Sequence, residues 1–325
     1  MGIKKMAASG SKRVAKANVL SEEVVHRYLV AEQFGLVSSV KTSQFDTIDD
    51  GAARKLVRHR GMLDLSGLKR LSVESAEALA RHAYAINLNG LSEISVEVAA
   101  KLGRHREELH LDGLRELSDE LAQAIGGHRG TLHLSGLKSL SVVGAAGIAA
   151  VRGDLFLRGL SELRAEQAAE LARHRGTLYL GGVKKLSAGA AAALAGHRGA
   201  IGLKGLQSAS DEVILQLSKC KGGLHLGGLR RLSNEGAKYL SKHRNSLHLG
   251  GVKELSDEAI EHLARHRGDL HLGGLRHLSQ AGARALAGQQ GELCLSGLKP
   301  IPDYVKAELM GREDFVYFED PIIPV

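Results

Sequence analysis

Apolar and polar residues follow a short pattern that returns every 23 residues along most of the chain. The copy that begins at Leu247 reads LHLGGVKELSDEAIEHLARHRGD. Eleven copies occur without an insertion, beginning at Leu63, Ile86, Leu109, Leu132, Leu155, Leu178, Ile201, Leu224, Leu247, Leu270 and Leu293. Apolar residues at positions 1 and 3 of each copy indicate a short strand with one buried face. The fixed period predicts a solenoid in which each copy forms one coil.

A turn and a helix are predicted after each strand. Position 5 is Gly in all eleven copies, which indicates either a positive φ or no room for a Cβ atom. Ser occupies position 10 in nine copies, Ser256 among them, and predicts a helix N-cap. Apolar residues at positions 14 and 17, such as Ile260 and Leu263, predict one buried face of a helix of about two to three turns. Stacked coils would therefore form a parallel sheet on one side and a helix layer on the other.

The pattern LxLxGLxxLSxExAxxLAxHRGx resembles bacterial leucine-rich-repeat proteins over roughly residues 45–310. The helical halves EGAKYL and AGARALA are similar to the short GALA-type variant. The resemblance implies an α/β solenoid with parallel strands on the concave face, helices on the convex face and macromolecules as partners. One departure is that the Asn expected soon after the strand is missing. The hydrogen-bond ladder that this Asn builds must therefore be replaced or absent.

Both ends of the chain depart from the repeat and predict caps over the exposed ends of the solenoid. Residues 1–20 hold five basic residues and no acid, and are predicted to form a flexible basic arm. The sequence predicts an N-terminal helical cap with a degenerate repeat over residues 21–62. It predicts the solenoid over residues 63–299. Residues 300–325, with all four prolines, predict an irregular C-terminal cap. Two capped ends favour a monomer.

Composition and missing motifs narrow the function. The formal charge is +8, of which the arm contributes +5, so the solenoid itself is nearly balanced. Two cysteines without a CxxC indicate neither a disulfide framework nor a thiolate metal site. No apolar run is long enough to span a membrane and no secretory signal is evident, so a cytoplasmic protein is predicted, with effector export left open. Without GxxxxGK[ST], HExxH or GxSxG, the chain is predicted to be non-enzymatic and to need no cofactor.

The candidate binding surface is position 2 of the strands, which points away from the core. Phe156 and Tyr179 are adjacent aromatics at this position, and Arg158 and Lys204 flank them at position 4. Exposed aromatics beside cations are typical of interface hot spots. We predict that these four residues bind a protein partner together with the neighbouring histidines at position 2, which are His110, His133, His225, His248 and His271.

Two other functions are open on this sequence. A basic rim follows the helices at position 21 and, with the arm, would attract nucleic acid or another polyanion; it consists of Arg106, Arg129, Arg152, Arg175, Arg198, Arg244 and Arg267. Partial neutralisation by acids in the first helical turns is the plainer interpretation. His225, His248 and His271 could instead bind a divalent metal, although a straight ladder does not converge tetrahedrally. A stacked polar strip is the plainer interpretation there, and an exposed strip should gain charge near pH 6.

A second histidine recurs at position 20, in the HRG triplet at the end of each helix. The same position holds Val151, Cys220 and Gln289 in other coils. Because otherwise similar coils exchange His for these residues, we predict a semi-buried packing role rather than catalysis.

Overall fold

The computed structural model describes residues 18–33, 42–310 and 316–318. The strands are β1 Val19–Leu20, β2 Thr47–Ile48, β3 Leu63–Asp64, β4 Ile86–Asn87, β5 Leu109–His110, β6 Leu132–His133, β7 Leu155–Phe156, β8 Leu178–Tyr179, β9 Ile201–Gly202, β10 Leu224–His225, β11 Leu247–His248, β12 Leu270–His271, β13 Leu293–Cys294 and β14 Val316–Tyr317. The helices are α1 Glu22–Gln33, α2 Asp50–Leu56, α3 Val73–Leu79, α4 Val96–Leu102, α5 Asp119–Ile125, α6 Val142–Ile148, α7 Ala165–Leu171, α8 Ala188–Leu194, α9 Asp211–Leu217, α10 Asn234–Leu240, α11 Asp257–Leu263, α12 Gln280–Ala287 and α13 Asp303–Glu308. No helix in these ranges is long and apolar enough to cross a membrane.

Strands β3 to β14 form one parallel sheet of twelve strands, in which each strand pairs with the next along the chain. The register joins equal positions of neighbouring coils, so that Leu247 pairs with Leu270 and His248 with His271. A register of this kind places identical positions in straight columns across the sheet. The predicted α/β solenoid with one coil per repeat is confirmed.

Leucine and alanine fill one continuous core between the sheet and the helices. In the coil that begins at Leu247, Leu249 and Val252 point inward from the strand and turn, and Ile260 and Leu263 from the helix; each is at most 1% exposed. No coil could bury this face alone, because the neighbouring coils supply the atoms that cover it.

The strands lie on the concave side because helices need more room than strands. Strands in a sheet repeat about every 4.8 Å, whereas the axes of packed helices lie about 8–10 Å apart. Ring centroids on the strand face are separated by 3.9 Å between His248 and His271. At position 20, just after the helices, the rings of His243 and His266 are 6.0 Å apart. The spacing of the coils thus grows from the strand face to the helix side, as a concave strand face requires.

The Gly at position 5 is required by close backbone packing. Among the described residues only Gly61, which lies outside this column, has a positive φ. A Cβ atom at Gly251 would lie 2.5 Å from the carbonyl oxygen of Gly227 and 2.6 Å from that of Leu229. The turn of one coil therefore rests directly on the backbone of the coil before it, which decides between the two explanations that the sequence left open.

Serines at the helix N-caps form a hydrogen-bond ladder between coils. The backbone N–H of Ala259 donates to Ser256 Oγ at 3.1 Å, as N-capping requires. The same hydroxyl donates to Asn234 Oδ1 at 2.6 Å, on the first residue of the preceding helix, and Ser279 donates to Asp257 at 2.5 Å. This ladder joins consecutive coils in place of the missing Asn ladder.

The N-terminal cap begins with a strand. β1 pairs with β2 in parallel, Leu20 opposite Ile48, in a two-stranded sheet separate from the main one. Leu20 is fully buried, although residues 19 and 20 were assigned to the arm. The pairing partner is remote in sequence, which is why the strand was not predicted. The rest of the predicted arm, residues 1–17, lies outside the described residues.

At the other end the repeat continues further than predicted. β14 begins 23 residues after β13 and pairs with it in the same register, Leu293 opposite Val316. Helix α13 packs against α12 on the helix side. The expectation of an irregular cap is thus corrected by one more strand, which the prolines and the loss of the Gly column had hidden. Residues 311–315 and 319–325 lie outside the described part of the chain.

Candidate binding site on the strand face

Position 2 of the strands carries two stacks of rings on the concave face. The four-ring stack has neighbouring centroids 4.0–4.1 Å apart and consists of His110, His133, Phe156 and Tyr179. The three-ring stack has centroids 3.9–4.0 Å apart and consists of His225, His248 and His271. The stacking follows from the register, because each ring stands over the same position of the next strand. All seven side chains are half-buried.

Gly202 separates the two stacks. It occupies position 2 of β9, between Tyr179 and His225, and is itself buried. A Cβ atom at Gly202 would lie 3.1 Å from Cδ1 of Tyr179, so the Tyr179 ring leans over the glycine. The concave face therefore presents two ring surfaces with a gap between them.

Two cations lie on the coils near Tyr179. The Arg158 guanidinium carbon lies 4.8 Å from the centroid of Phe156 and 5.7 Å from that of Tyr179, within the range of cation–π attraction. Lys204 is exposed on the coil that carries Gly202. The structure thus brings Phe156, Tyr179 and Arg158 into contact and places Lys204 on the next coil beyond Tyr179.

His225 and His248 of the three-ring stack do not titrate as exposed imidazoles would. Burial, together with the charges of His225, His271 and Lys204, lowers the pKa of His248 to about 3. Burial also lowers the pKa of His225. The expectation of charge near pH 6 applied to an exposed strip, whereas these two histidines are half-buried because each stacked ring shields its neighbour from water. At neutral pH they present uncharged imidazoles.

A shallow groove of about 150 Å³ runs beside the three-ring stack. Lys204 stands at one end and Cys294 at the other, and the position-4 glycines form its open side: Gly227, Gly250 and Gly273. A Cβ atom at Gly250 would meet no atom within 4 Å. The absence of side chains at position 4 is what leaves these imidazoles accessible from one side.

Glu108, which the sequence analysis missed, places a carboxylate at the end of the four-ring stack. Its Oε1 lies 3.1 Å from Nε2 of His110 and 2.7 Å from Nε2 of His133. Among the described residues, these three form the one group of potential metal ligands whose atoms all lie within 4.8 Å of one another. His225, His248 and His271 form no such group. Glu108 stands at position 23, directly before the strand, outside the two positions that the sequence analysis compared.

The predicted basic rim is exposed along its whole length: Arg106, Arg129, Arg152, Arg175, Arg198, Arg244 and Arg267. Acids of the helices pair with other cations, as in the 2.5 Å contact of Glu77 with Lys101 and the 2.7 Å contact of Glu170 with Arg173. No ion pair joins a rim arginine to another described residue. Partial neutralisation by helix acids stays a prediction, since Glu170 lines the same surface groove as Arg152 and Arg175.

The position-20 histidines are packing residues, more deeply buried than predicted. Each is at most 4% exposed: His59, His82, His105, His128, His174, His197, His243 and His266. Neighbouring rings stack in pairs, and Nε2 of His82 lies 2.9 Å from the carbonyl oxygen of Gly61. Burial, with His128 nearby, lowers the pKa of His105 to about 4. The imidazoles whose pKa burial lowers are uncharged parts of the core at neutral pH: His82, His105, His128, His174, His197, His243 and His266.

A strand, a turn and a short helix in every coil, around a continuous leucine core, define an α/β solenoid of the leucine-rich-repeat type. Neither a family model nor a curated protein sequence matches the chain. Among solved structures, an internalin from Listeria monocytogenes is similar over 86% of this chain and 80% of its own, with 15% identity and a TM-score of 0.49. TLR13 in complex with ssRNA13 is similar over 77% of this chain and 43% of its own, with 16% identity and a TM-score of 0.47. A leucine-rich-repeat protein of Leptospira interrogans is similar over 90% of this chain and 80% of its own, with 16% identity and a TM-score of 0.35.

Proposed function

We propose that the chain is a non-enzymatic, monomeric scaffold of the short GALA-like type that recognises a protein partner on its concave strand face. The observation that supports this most is the four-ring stack with Arg158 lying against Phe156 and Tyr179. Rings already fixed by stacking lose little conformational freedom when a partner binds them. Half-buried aromatics beside Arg are the residue types in which binding energy concentrates. We place the centre of the interface at Phe156 and Tyr179, with His110, His133 and the three-ring stack around it.

Charge indicates the kind of partner. The four coils from Leu155 to Leu224 hold no acid at positions 2 or 4, whereas Arg158 and Lys204 are both exposed there. A partner that offers aromatic or aliphatic groups beside carboxylates would complement this surface.

Replacing the central rings should abolish partner capture without unfolding the protein. Phe156→Ala and Tyr179→Ala each remove a ring of the hot-spot type, and truncations of this kind cost about 2 kcal/mol or more of binding energy. Each variant is therefore expected to lose about thirtyfold or more in affinity. The measurement is affinity capture from host-cell lysate with mass spectrometry, followed by titration of the partner that is found.

The control for this experiment is Tyr84→Ala, because Tyr84 is 45% exposed but lies outside the strand face. This variant is expected to capture the same partner as the wild type. Unchanged capture by Phe156→Ala and Tyr179→Ala would remove the strand centre from consideration.

A second candidate function is polyanion or nucleic-acid binding, which the exposed basic rim favours. Seven arginines, none in an ion pair with a described acid, give an interrupted row of positive charge; other coils have Ala83, Lys221 or Gln290 at this position. A nucleic acid bound through such charges releases counterions, and its affinity falls steeply as salt increases. The weakness of this candidate is that the aromatic rings lie on the strand face rather than along the rim.

Charge reversal in the rim tests the second candidate. Arg152→Glu with Arg175→Glu should lower the affinity for single-stranded nucleic acid and flatten its salt dependence, because two phosphate contacts are lost. Filter binding between about 50 and 200 mM salt measures both quantities. Deletion of residues 1–17 tests the arm separately and leaves β1 intact. If the wild type retains no nucleic acid in the filter assay at low salt, this function is rejected.

A further inference from the structure

We propose that Glu108, His110 and His133 bind a divalent transition metal ion of the zinc class on the concave face. The inference goes beyond protein recognition and does not depend on it. Glu108 directly precedes β5, His110 lies on β5 and His133 on the adjacent β6, at the end of the four-ring stack.

The fold brings the three ligands together through strand geometry. Glu108 and His110 are two residues apart, so both point to the same face of the sheet. His133 lies directly opposite His110 in the parallel register. Its ring stacks on Phe156 at 4.1 Å, with 7° between the ring planes, which holds the imidazole in one orientation. The ligand set is thus fixed by the backbone on one side and by an aromatic ring on the other.

The two imidazoles direct their Nε2 atoms at one carboxylate, although their rings stack at 4.1 Å with 17° between the planes. Nε2 of His110 and Nε2 of His133 approach the same carboxylate oxygen, Oε1 of Glu108, at 3.1 and 2.7 Å. A tetrahedral ion with bonds of about 2.0–2.1 Å holds its ligand atoms about 3.3 Å apart. An ion can therefore enter after the ligand atoms separate by well under about 1 Å. The distances from Oε1 to the two imidazole nitrogens are therefore close to those of the bound state.

The donor set and its surroundings select the class of ion. Two imidazole nitrogens and one carboxylate oxygen suit Zn²⁺ and its neighbours in the transition series, whereas Mg²⁺ and Ca²⁺ prefer oxygen ligands alone. The side chains of His110 and His133 are 21% and 15% exposed, and that of Glu108 is 44% exposed. The site is thus partly shielded but open on one side. Three protein ligands leave the remaining coordination position to water or to a group of a binding partner.

Metal titration of the tag-free full-length chain tests the site. Calorimetry with Zn²⁺ is expected to show one ion bound per chain. Co²⁺ in place of Zn²⁺ is expected to give visible d–d absorption that reports imidazole and carboxylate coordination. Bound Zn²⁺ should also raise the unfolding temperature in a concentration-dependent way, because it binds the folded state alone.

Three conservative substitutions should each weaken binding about tenfold or more, because each removes one of three ligands. Glu108→Gln keeps the size of the side chain. His110→Asn and His133→Phe introduce residues that the chain itself accommodates at position 2, as Asn87 and Phe156. Circular dichroism of each variant confirms the fold before the titration.

The matched control is His248→Asn, which removes a ring from the three-ring stack and should leave Zn²⁺ affinity unchanged. No Zn²⁺ binding by the wild type would overturn the proposal. So would equal binding by the wild type and all three variants, since the ion would then occupy other histidines. A loss of binding in His248→Asn alone would place the ion at the three-ring stack and reject the site at Glu108.

Discussion

Lowering the pH from about 7 to about 4 is expected to cost the solenoid several kcal/mol of stability, because its core contains imidazoles held uncharged by burial. Burial lowers the pKa of His105 from 6.5 to about 4. It lowers the pKa of six further histidines of the same column: His82, His128, His174, His197, His243 and His266. Glu107 raises the pKa of His105 slightly, and His82 and His128 lower it.

The direction of the effect follows from proton binding. Below pH 6.5 an unfolded histidine takes up a proton, whereas a buried one stays neutral until the pH approaches its lowered pKa. The free energy of unfolding therefore falls as the pH drops through 6.5, and for His105 the loss levels off below about pH 4. A shift of this size corresponds to at most about 3 kcal/mol for His105, out of a total of about 5–15 kcal/mol for a typical domain.

A glutamine variant separates the histidine effect from that of carboxylates. Gln289 occupies the same column, and its Nε2 donates to the carbonyl oxygen of Gly268 at 2.7 Å. His105→Gln should therefore fit the site without titrating, and should reduce the loss of stability between pH 7 and about 4.5 in urea unfolding. The exposed His277, changed to Gln, is the control and should leave the pH dependence as in the wild type. Equal pH dependence in all three proteins would contradict the assignment.

Properties that each coil repeats could be predicted from the sequence, because the repeat gives eleven observations of one local structure. Leu249 at position 3 and Ser256 at the helix N-cap have the roles that their columns indicate. The choice between positive φ and close packing at Gly251 could not be made, since it depends on the distance between two backbones. The hydrogen bond that Ser256 donates to Asn234 joins two coils. It could not be predicted from a pattern that describes one repeat at a time.

The candidate site depends on contacts between side chains of neighbouring coils, and the residue types at one repeat position do not reveal these contacts. The neutral state of His248 results from ring spacing of about 4 Å, which shields each imidazole. Glu108 belongs to the site because its side chain extends from position 23 to His133 on the next strand. The arrangement of Phe156 and Tyr179 as adjacent rings was predictable, because the register places equal positions side by side.

Gly251→Ala is expected to destabilise the solenoid by about 3 kcal/mol or more, at the upper end of the cost of overpacking. The added Cβ atom would lie 2.5 Å from the carbonyl oxygen of Gly227 and 3.0 Å from the carbonyl carbon of Gly228. These are backbone atoms of the preceding coil and cannot rotate away as a side chain would. Relief requires the two coils to separate, which disrupts the pairing of β10 with β11.

The preceding residue provides a matched control. Gly250→Ala adds the same atom where nothing lies within 4 Å, and its unfolded chain loses backbone freedom, so its stability should match or exceed that of the wild type by up to about 1 kcal/mol. Urea unfolding of the two variants measures the difference, and hydrogen exchange should place the weakened region of Gly251→Ala around β10 and β11. Because the two variants share composition, helix content and position in the chain, similar stabilities would contradict contact between coil backbones as the reason for glycine at position 5.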